Sequence, residues 1–146
     1  MPVTISETRD QVASMLANLV GRVELSPGGA MSFPYESTRV FVEVRSWREG
    51  SSLVNVFAIT NVELTPSPEL YEFVALHSDD WVFGHLAMAV EGGSAYLHFT
   101  HSLLGDFLDE PELQAAVGAV AIAADEIDDK VKAQFGGRLP ANDWDR

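Results

Sequence analysis

The sequence predicts an α+β domain in the order α-β-β-β-α-β-β-α, an antiparallel sheet with its first and last helices packed on one face. Three observations carry this. The chain opens on an amphipathic helical segment. It then runs through short alternating or apolar stretches punctuated by glycine and proline, and it closes on a long apolar stripe at helical spacing.

The first helix is expected from Ser6 to Val20, where Val12, Met15, Leu16 and Leu19 recur on one side and Gly21 stands at the cap position. Ser26-Pro27-Gly28-Gly29 breaks the chain before the strands. Arg39 to Trp47 alternates, with Val40, Val42 and Val44 on one side and Phe41, Glu43, Arg45 and Trp47 on the other. A turn centred on Glu49-Gly50 leads into a strand from Ser52 to Thr60. In that register Val44 opposes Asn55, so the valine row joins Leu53, Phe57 and Ile59, and Val54 and Val56 fall on the other face. A one-residue change in the loop swaps this assignment.

Ser67 and Pro68 read as the N-cap and first residue of a short helix through Leu70, Phe73, Val74 and His77. Trp81 to Gly105 reads as a hairpin turning at Gly92-Gly93, which pairs Val90 with Ala95, Met88 with Leu97 and Leu86 with Phe99. Its second face then carries Phe83, His85, Ala87, Ala89, Tyr96, His98 and Thr100. Asp109 caps the last helix and Glu112 completes a capping-box pattern. Leu113, Val117, Val120, Ala124, Ile127, Val131 and Phe135 form its apolar stripe, and Gly136-Gly137 ends it. The expected domain is 1–137, with 138–146 as an irregular tail.

The 146 residues carry a net charge of −13 and no cysteine. Between Arg48 and Lys130 there is no Lys or Arg, while most of the 22 Asp and Glu fall there. Such a field repels phosphate backbones, which argues against a nucleic-acid partner; it reads either as an acidic solvated surface that keeps the protein soluble or as attraction of a basic partner segment. Disulfides, thiolate metal sites and cysteine nucleophiles are excluded. The N-terminus lacks the pattern of a signal peptide, and no apolar run reaches the ~20 residues of a membrane span. A cytoplasmic protein without a membrane partner is expected.

No motif assigns catalysis, a cofactor or a metal. His98 and His101 point to opposite faces, whereas His85 and His98 share one as diagonal neighbours with no carboxylate beside them. His101, Ser102 and Asp106 lack the arrangement of a hydrolase triad. Asp125, Glu126, Asp128 and Asp129 lack the loop ligands of a calcium site and read as a solvated helix face. The positive feature is an apolar sheet face with Phe41, Trp47, Val54, Val56, Phe83 and Tyr96 around Glu43, Arg45, His85 and His98. Such a face resembles a protein-binding surface, unless the short helix or the tail with Trp144 covers it.

The element order resembles the type III secretion chaperone fold of the CesT/Tir-chaperone type and the related YbjN-like domains. The segment from Val62 to Val131, VELTPSPELYEFVALHSDDWVFGHLAMAVEGGSAYLHFTHSLLGDFLDEPELQAAVGAVAIAADEIDDKV, is similar to the actinobacterial peptide-binding chaperone branch, and the resemblance extends from about Thr4 to Gly137. It implies a non-enzymatic, often dimeric protein that holds an extended client segment on apolar patches. Phe41, Trp47, Val54, Val56, Phe83, His85, Tyr96 and His98 are then the expected partner-binding residues. The alternatives are a small-molecule or enzymatic site on the His85/His98 face, and a purely structural homodimer.

Overall fold

Thr4 starts the first helix through a reciprocal capping box. Its hydroxyl accepts the Glu7 N–H at 3.1 Å, and the Glu7 carboxylate accepts the Thr4 N–H at 3.1 Å. The computed structural model describes residues 4–140 and orders them as α1 (Ile5–Val20), β1 (Glu24–Leu25), β2 (Met31–Tyr35), β3 (Thr38–Arg48), β4 (Ser51–Leu64), α2 (Pro68–His77), β5 (His85–Glu91), β6 (Ser94–Leu104) and α3 (Glu110–Phe135). The expected helix-strand order holds, with the two-residue β1 added at its start. Trp144 and the rest of 141–146 lie outside the described residues.

The caps sit where their chemistry requires. Ser67 Oγ accepts the Leu70 N–H, Asp109 Oδ1 accepts the Glu112 N–H, and each of these two helices carries proline in its first turn, where the missing N–H costs nothing. Gly21 and Gly136 end α1 and α3 at φ 80° and 77°.

The six strands form one antiparallel sheet in the order β1-β2-β3-β4-β6-β5. The β5–β6 hairpin has the expected register, Val90 with Ala95, Met88 with Leu97 and Leu86 with Phe99. The β3–β4 hairpin does not. Arg48 pairs with Ser51 across the two-residue turn, but Ser46 pairs with Ser52, leaving Trp47 as an extra residue in a β-bulge. The bulge moves every later pair by one, so Val44 faces Val54 and Val42 faces Val56.

This shift decides which face is core. Because paired residues share a face, Val40, Val42, Val44, Val54, Val56, Ala58, Leu97 and Phe99 lie together. They are buried against Val12 and Leu16 of α1 and Leu113, Val117, Val120, Ala124, Ile127 and Val131 of α3. Val54 and Val56, expected on the partner-binding face, are fully buried here. The other face of the sheet takes Phe57, Ile59, Leu53 and Asn55 in their stead.

One further expectation changes. The acidic run of α3 is not wholly a solvated face. Glu126 and Asp129 are exposed, but Asp128 is 1% exposed, because it follows Ala124 by four residues and precedes Val131 by three on the buried stripe.

Candidate binding face

The side of the sheet opposite α1 and α3 carries a groove of about 570 Å3 across β3, β4 and β6. Its floor is polar. The two-fold repeat of the strands sets Asn55 beside Thr100 and Ser102, whose hydroxyls donate to Asn55 Oδ1 at 2.8 and 3.2 Å. With the carbonyl oxygen occupied twice, the amide nitrogen of Asn55 remains as a donor toward the groove. The walls are apolar on one side and charged on the other. Phe57 and Ile59 rise from β4 and Tyr96 from β6, while Glu43 and Arg45 of β3 form a loose ion pair at 3.7 Å.

Phe41, paired with Phe57 across β3 and β4, is buried on the same face and stacks beside it, ring centroids 5.3 Å apart and 14° from parallel. The contact braces Phe57 from the side, as offset aromatic pairs do. Arg39, 4% exposed, reaches Ser32 Oγ at 3.1 Å and the Glu24 carboxylate at 3.2 Å, tying β1 and β2 to the same side.

His98 closes the groove toward β5. Its ring lies 6.0 Å from that of Tyr96, and its Nδ1 is buried with no protein hydrogen-bond partner. Burial disfavours the charged imidazolium and holds its pKa below 6.5, and the neighbouring His85 adds to the effect. His85 itself is exposed on β5, paired with Thr100 and diagonal to His98 as expected.

The structure thus brings together Phe41, Tyr96, His85 and His98 of the expected residues. It separates the remaining four. Val54 and Val56 are core. Phe83 precedes β5, and Gly84 at φ 87° turns the chain so that Phe83 meets the edge of His101 at 5.8 Å, on the helix side of the sheet. Trp47 sits on the bulge, half exposed, with the Arg48 guanidinium 4.4 Å above its ring. Asn55, Phe57, Ile59, Thr100 and Ser102 join the site unexpectedly. Their alternation on β4 and β6 is visible in the sequence, but the bulge that assigns them to this face is not.

The short helix, one of the two expected covers for the face, lies elsewhere. Helix α2 packs beside α3, with Phe73 5.4 Å from Phe135 edge to face. His77 of α2 bonds Asp80 at 2.7 Å. Asp106 accepts the backbone N–H and hydroxyl of Ser52, both at 3.1 Å, so it serves the β4 end and not Ser102.

Comparison with known proteins adds two findings. The family model described as "T3SS (YopN, CesT) and YbjN peptide-binding chaperone 1" matches residues 6–143. Among solved structures, the Yersinia pestis type III secretion chaperone SycH, determined in complex with a stable fragment of YscM2, superposes with a TM-score of 0.53. The match has 14% identity and covers 85% of this chain and 99% of that one. No curated protein matches the sequence.

Proposed function

Because the chain belongs to the family of type III secretion and YbjN peptide-binding chaperones, we propose that its open sheet face holds an extended segment of a client polypeptide, without catalysis. The observation that carries this is the groove itself: a channel on the side of the sheet opposite α1 and α3, apolar at Phe57, Ile59 and Tyr96 and hydrogen-bonding at Asn55. An extended segment presents alternate side chains to such a channel and its backbone amides to the floor. The acidic residues outside the groove favour clients with basic flanks, through faster encounter more than through tighter final contact.

The test is capture of client polypeptide by the wild type and by a Tyr96→Glu/Ile59→Glu double variant. Both side chains are half-buried on the sheet surface, so the variant should keep its fold, as judged by circular dichroism. Loss of capture with the fold retained supports the reading; unchanged capture rejects this face.

A second reading rests on its own observation. The groove is lined by His98 as well as by Asn55, Thr100 and Ser102, polar side chains that also suit a small molecule. Saturable shifts of the His98 ring resonances with a low-molecular-weight cell extract, unchanged by adding client polypeptide, would favour it.

A further inference from the structure

A second feature lies on the opposite side of the sheet, where the β2–β3 turn meets α3. Ser37 of that turn places its Oγ 2.6 Å from Asp125 Oδ1 and 2.6 Å from Asp128 Oδ2, and its backbone N–H lies 3.2 Å from the same Asp125 Oδ1. We propose that these three residues hold one extra proton between them and form a pH-sensitive latch that fastens the β2–β3 turn to α3.

Counting hydrogens fixes the arrangement. A serine hydroxyl has one proton and can donate to one oxygen. Asp125 Oδ1 receives the Ser37 N–H, and the hydroxyl proton of the same residue completes a pincer on that oxygen, the arrangement of an ionised carboxylate. The Ser37 oxygen is then an acceptor toward Asp128 Oδ2. An O···O separation of 2.6 Å is that of a strong hydrogen bond and requires a proton between the two atoms. The proton must belong to Asp128. The chain reads Asp128 O–H to Ser37 Oγ, and Ser37 O–H to Asp125 carboxylate.

The surroundings favour the neutral acid. Asp128 is 1% exposed, and its second oxygen, Oδ1, is buried without a protein partner. Asn61 Nδ2 donates to the Asp128 backbone carbonyl at 2.9 Å, so β4 faces this turn of α3 with a neutral amide. From α3 itself Asp125 and Asp129 repel a further negative charge, and burial together with them raises the Asp128 pKa against the opposing hydrogen bonds. The β2–β3 turn adds Glu36, and next on β4 Glu63 is bonded to Arg138 at 3.1 Å. Loss of the proton leaves two carboxylates competing for one hydroxyl in a water-poor site, so one of the 2.6 Å contacts must open.

The turn has a reason to move when it does. Glu36 is held at φ 47°, a strained position for a residue with a side chain. Immediately before it, Phe33 and Tyr35 border a small apolar cleft with Leu19, Val117 and Ile122. Release of the turn loosens that border.

The test compares wild type with Asp128→Asn across about pH 3 to 9, a range that starts below the ordinary carboxylate values and extends above them. The side-chain amide of the variant donates to Ser37 at every pH, as the neutral acid does. Three outcomes are expected. The wild-type Asp128 carboxyl carbon titrates above the ordinary aspartate value of 3.8. The wild-type melting temperature falls relative to the variant as pH rises through that titration. Exchange of the Ser37 amide proton accelerates over the same range, beyond the intrinsic rise with pH, in the wild type alone. An Asp128 carboxyl that titrates at the ordinary aspartate value, or a melting difference that is flat with pH, overturns the latch. Should the variant fail to fold, the wild-type carboxyl titration alone decides.

Discussion

Burial acts on His98 and Asp128 with opposite sign, because desolvation penalises whichever form is charged. The histidine pKa is lowered in the folded state. Its contribution to stability is therefore complete above the ordinary value of 6.5 and is lost as pH falls through the lower folded value. The aspartate pKa is raised, so its contribution is complete below the ordinary value of 3.8 and is lost as pH rises through the folded value. A His98→Gln variant should accordingly lose less stability than wild type on mild acidification, measured as melting temperature against pH. Val56→Ala should cost about 2 kcal/mol in denaturant unfolding, two buried methyl groups plus the void they leave; it is fully buried against the helices. Much of this is hidden in the sequence. The scarcity of histidine marks His98, but Asp128 reads as one acid among its neighbours. The available signal is its place four residues after Ala124 on the apolar stripe.

Among the secondary-structure elements, turns are legible and bulges are not. Gly92 and Gly93 supply the two positive dihedrals of a tight hairpin, 57° and 80°, and that alone fixes the β5–β6 register. Glu49-Gly50 fixes its turn equally well, yet the bulge at Trp47 lies outside the turn and reverses the faces of β4. Nothing in the local alternation announces an extra residue. Gly84 behaves in a related way. At φ 87° it ends the hairpin and sends Phe83 away, and a Cβ there would lie 2.6 Å from the Phe99 ring. Gly84→Ala should therefore destabilise by roughly 1–3 kcal/mol in chemical denaturation, through strain and overlap together. Asp109→Ala removes the acceptor for the Glu112 N–H and should cost about 1 kcal/mol in the same assay.

For the molecule as a whole, helix stripes and strand alternation specify a sheet with two faces and enough helix to cover one. That is why the fold class is readable from the sequence while half of the expected binding residues are not: the class depends on periods, the face on register. The family match and the SycH superposition agree with the architecture. Whether the face opposite α1 and α3 receives polypeptide can be read by installing a photo-crosslinking amino acid in the groove at Ser102 and, as a control, on the outer surface of α3 at Gln134, both exposed. Each protein is irradiated in a lysate of the source organism and the adducts are sequenced. A client held in the groove gives polypeptide adducts from Ser102, mapping to extended segments, and none from Gln134. Adducts from Gln134 with none from Ser102 would place the client on the helices and reject the groove.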